Sequence, residues 1–170
     1  SDVNRLELSR IVQKKGVIVI ETKTRIWVDA DASPRPVKEI LYRASERTQT
    51  LVTFVANQLL EVPRSSFITA VKVGSGFDVA DQYIVSHARN GDIVITQDIP
   101  LAAELVAKGC LVLSPRGEKF SEEDVRQRLN MRDFMESLRS SGVTTGGPDG
   151  FSEKDRMAFA NALDRALAQI

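Results

Sequence analysis

Short apolar runs and longer amphipathic stretches alternate along most of this chain. The runs Ile26–Val28, Leu51–Ala56, Ile68–Val73, Ile93–Thr96 and Leu111–Leu113 are rich in Val, Ile, Thr and Phe. They are too short for core helices, and their composition suits strands covered on both faces. Between the first two, Val37, Ile40, Leu41 and Ala44 recur at i, i+3, i+4 and i+7, the apolar stripe of a helix. Further helices are predicted from near Asp78 to about Ala88, and from Pro100 to a stop at Gly109. Residues 57–66 read as a loop, Gly74-Ser75-Gly76 as a break and Asn90-Gly91 as a turn. Strand–helix–strand order implies a mainly parallel five-stranded sheet between helices, a three-layer α/β/α architecture.

Both ends depart from this alternation. Val3, Leu6, Ile11 and Val12 give a loose helical spacing that ends near Gly16, and Val17–Ile20 is an apolar run too short for a signal sequence. Residues 1–24 therefore read as an extension to which no role is assigned. After Ser114 the chain turns helical. Ser121-Glu122-Glu123-Asp124 resembles a capping box and opens a helix carrying Arg126, Arg128, Arg132 and Arg139. A Gly/Ser/Thr-rich loop over residues 140–150 follows. Ser152-Glu153-Lys154-Asp155 then caps a last helix with Met157, Ala160, Leu163, Ala166 and Leu167 on one face. Residues 25–170 are thus expected to form one domain with a helical C-terminal tail.

The first predicted strand ends in Asp29-Ala30-Asp31, followed by Ser33-Pro34. If the chain stays extended, the i, i+2 spacing puts both carboxylates on one side of the backbone. Ser33 is then expected to cap the next helix, with Pro34 in its first turn. Acids at the exit of a buried strand are poor core residues and good ligands for a hard divalent cation. The competing reading is that they shape the turn. In open α/β sheets ligands bind beyond the carboxyl ends of strands, where strand order reverses. Asp98 follows the fourth strand, and Asp81 lies in the first turn of the helix before it. These acids meet Asp29 and Asp31 if the first and fourth strands are neighbours. Read singly, Asp78 and Asp81 suit a helix N-terminus and Asp98 suits a helix cap.

Composition narrows the field. Hydrophobic residues make up 42% and charged residues 27%, as in ordinary globular proteins. Lys+Arg and Asp+Glu are equal at 23 each, which argues against a general nucleic-acid coat but leaves room for a local basic patch. One Cys and one His exclude an internal disulfide, disfavour a His/Cys zinc site and fit a cytoplasmic setting. No apolar run has the length of a membrane span.

Trp27-Val28-Asp29-Ala30-Asp31-Ala32-Ser33-Pro34, Val62-Pro63-Arg64-Ser65, Gly76-Phe77-Asp78-Val79-Ala80-Asp81, Asp92–Ala102, Pro115-Arg116-Gly117-Glu118, Met131-Arg132-Asp133-Phe134 and Thr145-Gly146-Gly147-Pro148 resemble, in order, the motifs of the bacterial YaiI/YqxD family. That family is similar to PIN-like nuclease domains. The resemblance spans about residues 25 to 165 and implies a PIN-like α/β/α domain. One position departs: the family usually has Cys where this chain has Ser33, so a role that needs a thiol there does not carry over.

By the same resemblance Asp29, Asp81 and Asp98 are the expected metal ligands, for Mg2+ or Mn2+, with Asp31 as an auxiliary ligand or water-orienting group. Asp29, Asp31 and Asp98 would then serve catalysis. The implied chemistry is metal-dependent phosphodiester hydrolysis, with single-stranded RNA as the expected substrate. Arg64, Arg116 and Arg132 are candidates for gripping backbone phosphates. Glu39 falls on the helix face opposite the apolar stripe and is a weaker ligand candidate. Two alternatives stand beside this reading. One is a non-catalytic nucleic-acid or protein-binding module on the same scaffold. The other is a phosphatase that uses Asp29 as nucleophile.

Overall fold

The central strand shows how the layers arise. Ile26 and Val28 point into one apolar cluster while Trp27 points into the other. Alternation along a strand sends successive side chains to opposite faces, so a continuous apolar run needs cover on both. The same division recurs in Val52, Phe54 and Ala56 against Val55, and in Ile93 and Ile95 against Val94.

The computed structural model describes residues 9–14, 16–76, 78–140 and 150–170, without the side chains of residues 9–14, 17–22, 132–134 and 137–140. Strands β3 (Ile26–Asp29), β4 (Val52–Ala56), β5 (Ile68–Lys72), β6 (Ile93–Ile95), β7 (Leu111–Leu113) and β8 (Lys119–Phe120) form one sheet in the order β5-β4-β3-β6-β7-β8. The five predicted strands pair in parallel, and the unforeseen β8 adds antiparallel to β7. Helix α1 (Arg35–Thr48) packs on one face together with α5 (Glu153–Ala168). Helices α2 (Val79–His87), α3 (Ile99–Ala107) and α4 (Glu122–Ser140) cover the other. This is the expected α/β/α sandwich. Among the described residues no helix is long and apolar enough to cross a membrane.

Three expectations are corrected. The loose helical spacing before Gly16 does not make a helix over its described part. Instead β1 (Ser9–Lys14) pairs antiparallel with β2 (Val17–Thr22) in a separate two-stranded sheet, with Ile11 opposite Ile20 and Val12 opposite Val19. A second β-branched run lies within hairpin reach, and Gly16 takes the turn at φ 78. Residues 1–8, which carry Val3 and Leu6, lie outside the described residues, as does the Thr145–Pro148 motif. Second, Ser33 does not cap α1: Pro34 holds the N-cap position without a side-chain bond. Third, Asp29 and Asp31 do not continue an extended strand, because a 3-10 turn over Ala30–Ala32 begins directly after Asp29.

The amino end of the sheet is closed by Asp92. This buried carboxylate accepts hydrogen bonds from Arg25 N (3.1 Å), Trp27 Nε1 (3.0 Å) and Arg89 N (2.9 Å). It thereby ties the start of β3 and the turn after α2 to the start of β6. Asp92→Ala leaves these donors facing an apolar methyl, and buried unsatisfied donors are costly. The expected loss is about 3 kcal/mol of folding stability. Urea unfolding followed by fluorescence of the single Trp27 measures it, and a loss below about 1 kcal/mol would refute this role.

Candidate acidic site at the sheet switch point

β3 leads through α1 to β4 and on to β5 on one side, whereas β6 and β7 continue on the other. The reversal falls between β3 and β6, and the crevice at a reversal opens beyond the carboxyl ends of the strands. Asp29 is the last residue of β3, and Asp98 follows β6 as the N-cap of α3. Since the two strands are parallel neighbours, both acids lie at the same edge.

A net of hydrogen bonds shapes that edge. Ser33 Oγ donates to the Asp29 carbonyl (2.9 Å), which tightens the turn. Asp31 is exposed, and its carboxylate accepts from Asn57 N (2.8 Å), joining the exit of β3 to that of β4. Gln97 Nε2 donates to the Ala32 carbonyl (3.3 Å) from the other side. Thr96 binds both acids: its Oγ1 donates to Asp29 Oδ2 (3.1 Å) and accepts from Asp98 N (3.0 Å). Asp98 Oδ1 in turn accepts from Leu101 N (3.0 Å). Sequence reading passed over Thr96, because a Thr at the end of a β-branched run reads as strand propensity. The spacing Thr96-Gln97-Asp98 ahead of a helix was the available signal.

The acids disfavour one another's ionisation. Burial raises the Asp29 carboxyl above the ordinary carboxylate range, and Asp98 and Asp31 add repulsion against a lowering bond from Thr96. Asp81, half-buried in the first turn of α2, is pushed up to about 6 by burial, then by Asp98, Asp29, Asp78 and Glu104. Asp78 itself precedes that helix at φ 64, a left-handed conformation that Asp tolerates better than most residues. Beside Asp81 a cleft of about 360 Å³ opens between α2 and α3, with Asp78, Ser86, Pro100 and Glu104 in its lining. Glu104 was not foreseen. It lies one turn beyond Pro100 on α3, a position that reads as ordinary surface charge.

The structure brings Asp29, Asp81 and Asp98 into electrostatic reach of one another, and Asp31 into reach of Asp29. Their donors are all carboxylate oxygens, which suit Mg2+ or Mn2+ and not a soft metal. Among the described residues, however, no three His, Cys, Asp or Glu side chains stand together closely enough to hold a metal ion. The candidate cations are distributed differently from the acids. Arg64 is exposed in the loop after β4. Arg116, in the turn after β7, is ion-paired with Asp155 of α5 at 3.4 Å. The Asp155 carboxyl is held low mainly by its backbone bond from Ser152. The Arg132 side chain lies outside the described residues. Glu39 faces solvent and pairs with Arg35 at 3.3 Å, one turn earlier on α1.

The raised carboxyl of Asp81 makes stability depend on pH. Between the unfolded value of 3.8 and the folded value of about 6 the native state binds the extra proton more tightly. Its contribution is present below pH 4 and lost as pH rises to 6. In EDTA, Asp81→Asn should therefore match wild type near pH 4 and exceed it at pH 7. The expected gain is on the order of 1 kcal/mol after allowance for solvent screening. Urea midpoints at the two pH values measure this, and an equal effect at both would remove the electrostatic account.

A family described as "Uncharacterized BCR, YaiI/YqxD family" matches residues 27–169. A UPF0178 protein of Shewanella sp. (strain MR-7) is 60% identical over 146 residues, which cover 86% of this chain and 96% of that protein. One from Pectobacterium carotovorum subsp. carotovorum (strain PC1) is 57% identical over 145 residues, 85% of this chain and 97% of its own. One from Myxococcus xanthus (strain DK1622) is 56% identical over 146 residues, 86% of this chain and 95% of its own. No solved structure matches. Similarity at this level, along almost the whole length of these bacterial relatives, means that the chain belongs to the YaiI/YqxD family.

Proposed function

We propose that this protein is a divalent-metal-dependent nuclease that hydrolyses phosphodiester bonds of RNA. The observation that carries the reading is the gathering of Asp29, Asp81 and Asp98 at the switch point, where burial and mutual repulsion raise Asp81 to about 6. Such a site is poised for a counter-charge. The choice of RNA rests on the resemblance to PIN-like nuclease domains.

Asp29 and Asp98 each have one carboxylate oxygen in a described hydrogen bond, with Thr96 and with Leu101 N. The other oxygen of each would hold the cation, and Asp81 across the crevice would add its charge and accept from a water on the ion. A closed cage is not required, since Mg2+ commonly takes only one or two carboxylates and fills its shell with water and substrate phosphate. When bound, Mg2+ or Mn2+ supplies a more acidic water and neutralises charge on the phosphate. Thr96 fixes the spacing between Asp29 and Asp98. Asp31, exposed at the rim, would orient the attacking water. Arg64, Arg116 and Arg132 would provide the cationic rim that a polyanion needs, and for Arg116 this means leaving Asp155.

The binding-module reading gains from two observations. Asp98 already serves as a helix cap, and the described acids form no closed ligand group.

Asp98→Asn separates the two readings, because Asn is as good an N-cap as Asp and removes only the charge. The nuclease reading expects Mn2+ to raise the melting temperature of wild type by several degrees through linkage, and that of the variant by much less. It also expects cleavage of end-labelled single-stranded RNA to fall by about 100-fold or more, as for loss of a strong transition-state contact. If Mn2+ shifts both proteins equally and neither cuts RNA, the site does not hold a catalytic metal. RNA binding that persists in EDTA would then establish the binding module.

A further inference from the structure

A second cleft, of about 580 Å³, lies between α1 and α5, the two helices that share one face of the sheet. Its volume is in the range of small-ligand sites. Three guanidinium groups, Arg43, Arg47 and Arg156, line it against a single carboxylate, Asp164. That bias is local, since the chain as a whole carries equal numbers of basic and acidic residues.

The arginines are available. Arg43 is exposed and has no ion-pair partner among the described residues. Arg47 pairs with Asp164 at 2.8 Å, but both side chains are 60% exposed. Arg156 pairs with Glu153, three residues earlier on α5, at 3.0 Å and is also open to water. Exposed pairs of this kind are weak, so an incoming phosphate can draw both guanidiniums away at little cost. Arg43 and Arg47 stand one helical turn apart on the same side of α1. Arg156 lies in the first turn of α5, where the helix dipole favours an anion and opposes a cation.

The rest of the lining is not that of a simple anion site. Ile40 forms part of an apolar floor, and Met157 is 57% exposed there. A thioether is soft enough to lie against a flat aromatic ring. The amide of Asn161 offers a donor and an acceptor beside it. Guanidiniums for phosphate, an apolar floor for a ring and an amide for its polar edge match the parts of one small molecule. We infer that the α1–α5 cleft is a binding site for a nucleotide, with its phosphates on Arg43, Arg47 and Arg156 and its base over Met157. This site lies apart from the acidic crevice and does not depend on the nuclease reading.

The test is calorimetric titration of the full chain with ADP in EDTA, which leaves the acidic crevice without a cation. Expected is saturable binding that Arg43→Gln weakens at least tenfold and Asp98→Asn leaves unchanged. Adenosine should bind at least tenfold more weakly than ADP, and inorganic phosphate should compete for the same site. Met157→Ala should weaken ADP but not inorganic phosphate. Arg156→Gln provides a second charge variant should Arg43→Gln lose the wild-type circular dichroism. Absence of ADP binding overturns the inference, and so does binding indifferent to both arginine variants. Binding of a single-stranded RNA that needs Arg43, without binding of ADP, also overturns it and makes the cleft part of a nucleic-acid track.

Discussion

Burial of β3 on both faces and along both edges is the constraint from which the rest of this fold follows. Ile26 and Val28 need α1 and α5 above them, and Trp27 needs the layer of α2 and α3 below. The backbone needs β4 on one edge and β6 on the other. With those places occupied, the carboxyl end of β3 can emerge only where the connections diverge. Polar groups at that exit must find partners locally, because the strands flanking them are filled with apolar side chains. Ser33, Asn57 and Thr96 provide those partners, and in doing so they set where the carboxylates of Asp29 and Asp31 stand.

The two edges of the sheet treat the same residue type in opposite ways. At the amino edge Asp92 is buried among donors and locks two strands and a turn together. At the carboxyl edge Asp29 is also buried, yet burial and neighbouring acids outweigh its bond from Thr96. A buried carboxylate with donors around it is an internal fastening. A buried carboxylate among other carboxylates destabilises the native state until a proton or a cation arrives. The fold tolerates this at the crevice because the hydrophobic layers on both faces of the sheet are continuous beneath it. Concentrated repulsion of this kind, in a crevice at strand exits, is found more often at functional sites than in ordinary surface acidity.

The α1–α5 face has a different electrostatic character. Its guanidiniums are open to water and weakly engaged, whereas Asp29 and Asp81 in the crevice are partly withdrawn from water. A chain with no net charge thus presents an acidic edge and a basic groove on separate parts of its surface. Arg116 is held by Asp155 of the capping box that starts α5. The turn before β8 approaches α5 closely as well. A side chain at Gly117, which has φ 88, would lie 2.5 Å from the Ala158 carbonyl. This contact anchors the tail helix against the end of β7.

Sequence alone determined the five parallel strands, the helices between them and the candidate acids at strand exits. Those features follow from local periodicity and from the few residue types that suit a strand end or a helix cap. The N-terminal hairpin was not legible, since Ile11 and Val12 fit a loose helical spacing as well as a strand until Ile20 and Val19 come opposite them. β8 was missed because two residues carry no periodicity. The conformation after Asp29 was misread for a related reason: whether Asp31 continues the strand or swings out on a 3-10 turn depends on Ser33 and on the Asn57 amide. The tertiary structure alone decided that Thr96 donates to Asp29, that Glu104 acts on Asp81, and that Arg116 pairs with Asp155. Each of these joins residues from different elements, and such distances are set by how the layers pack, which no local pattern encodes.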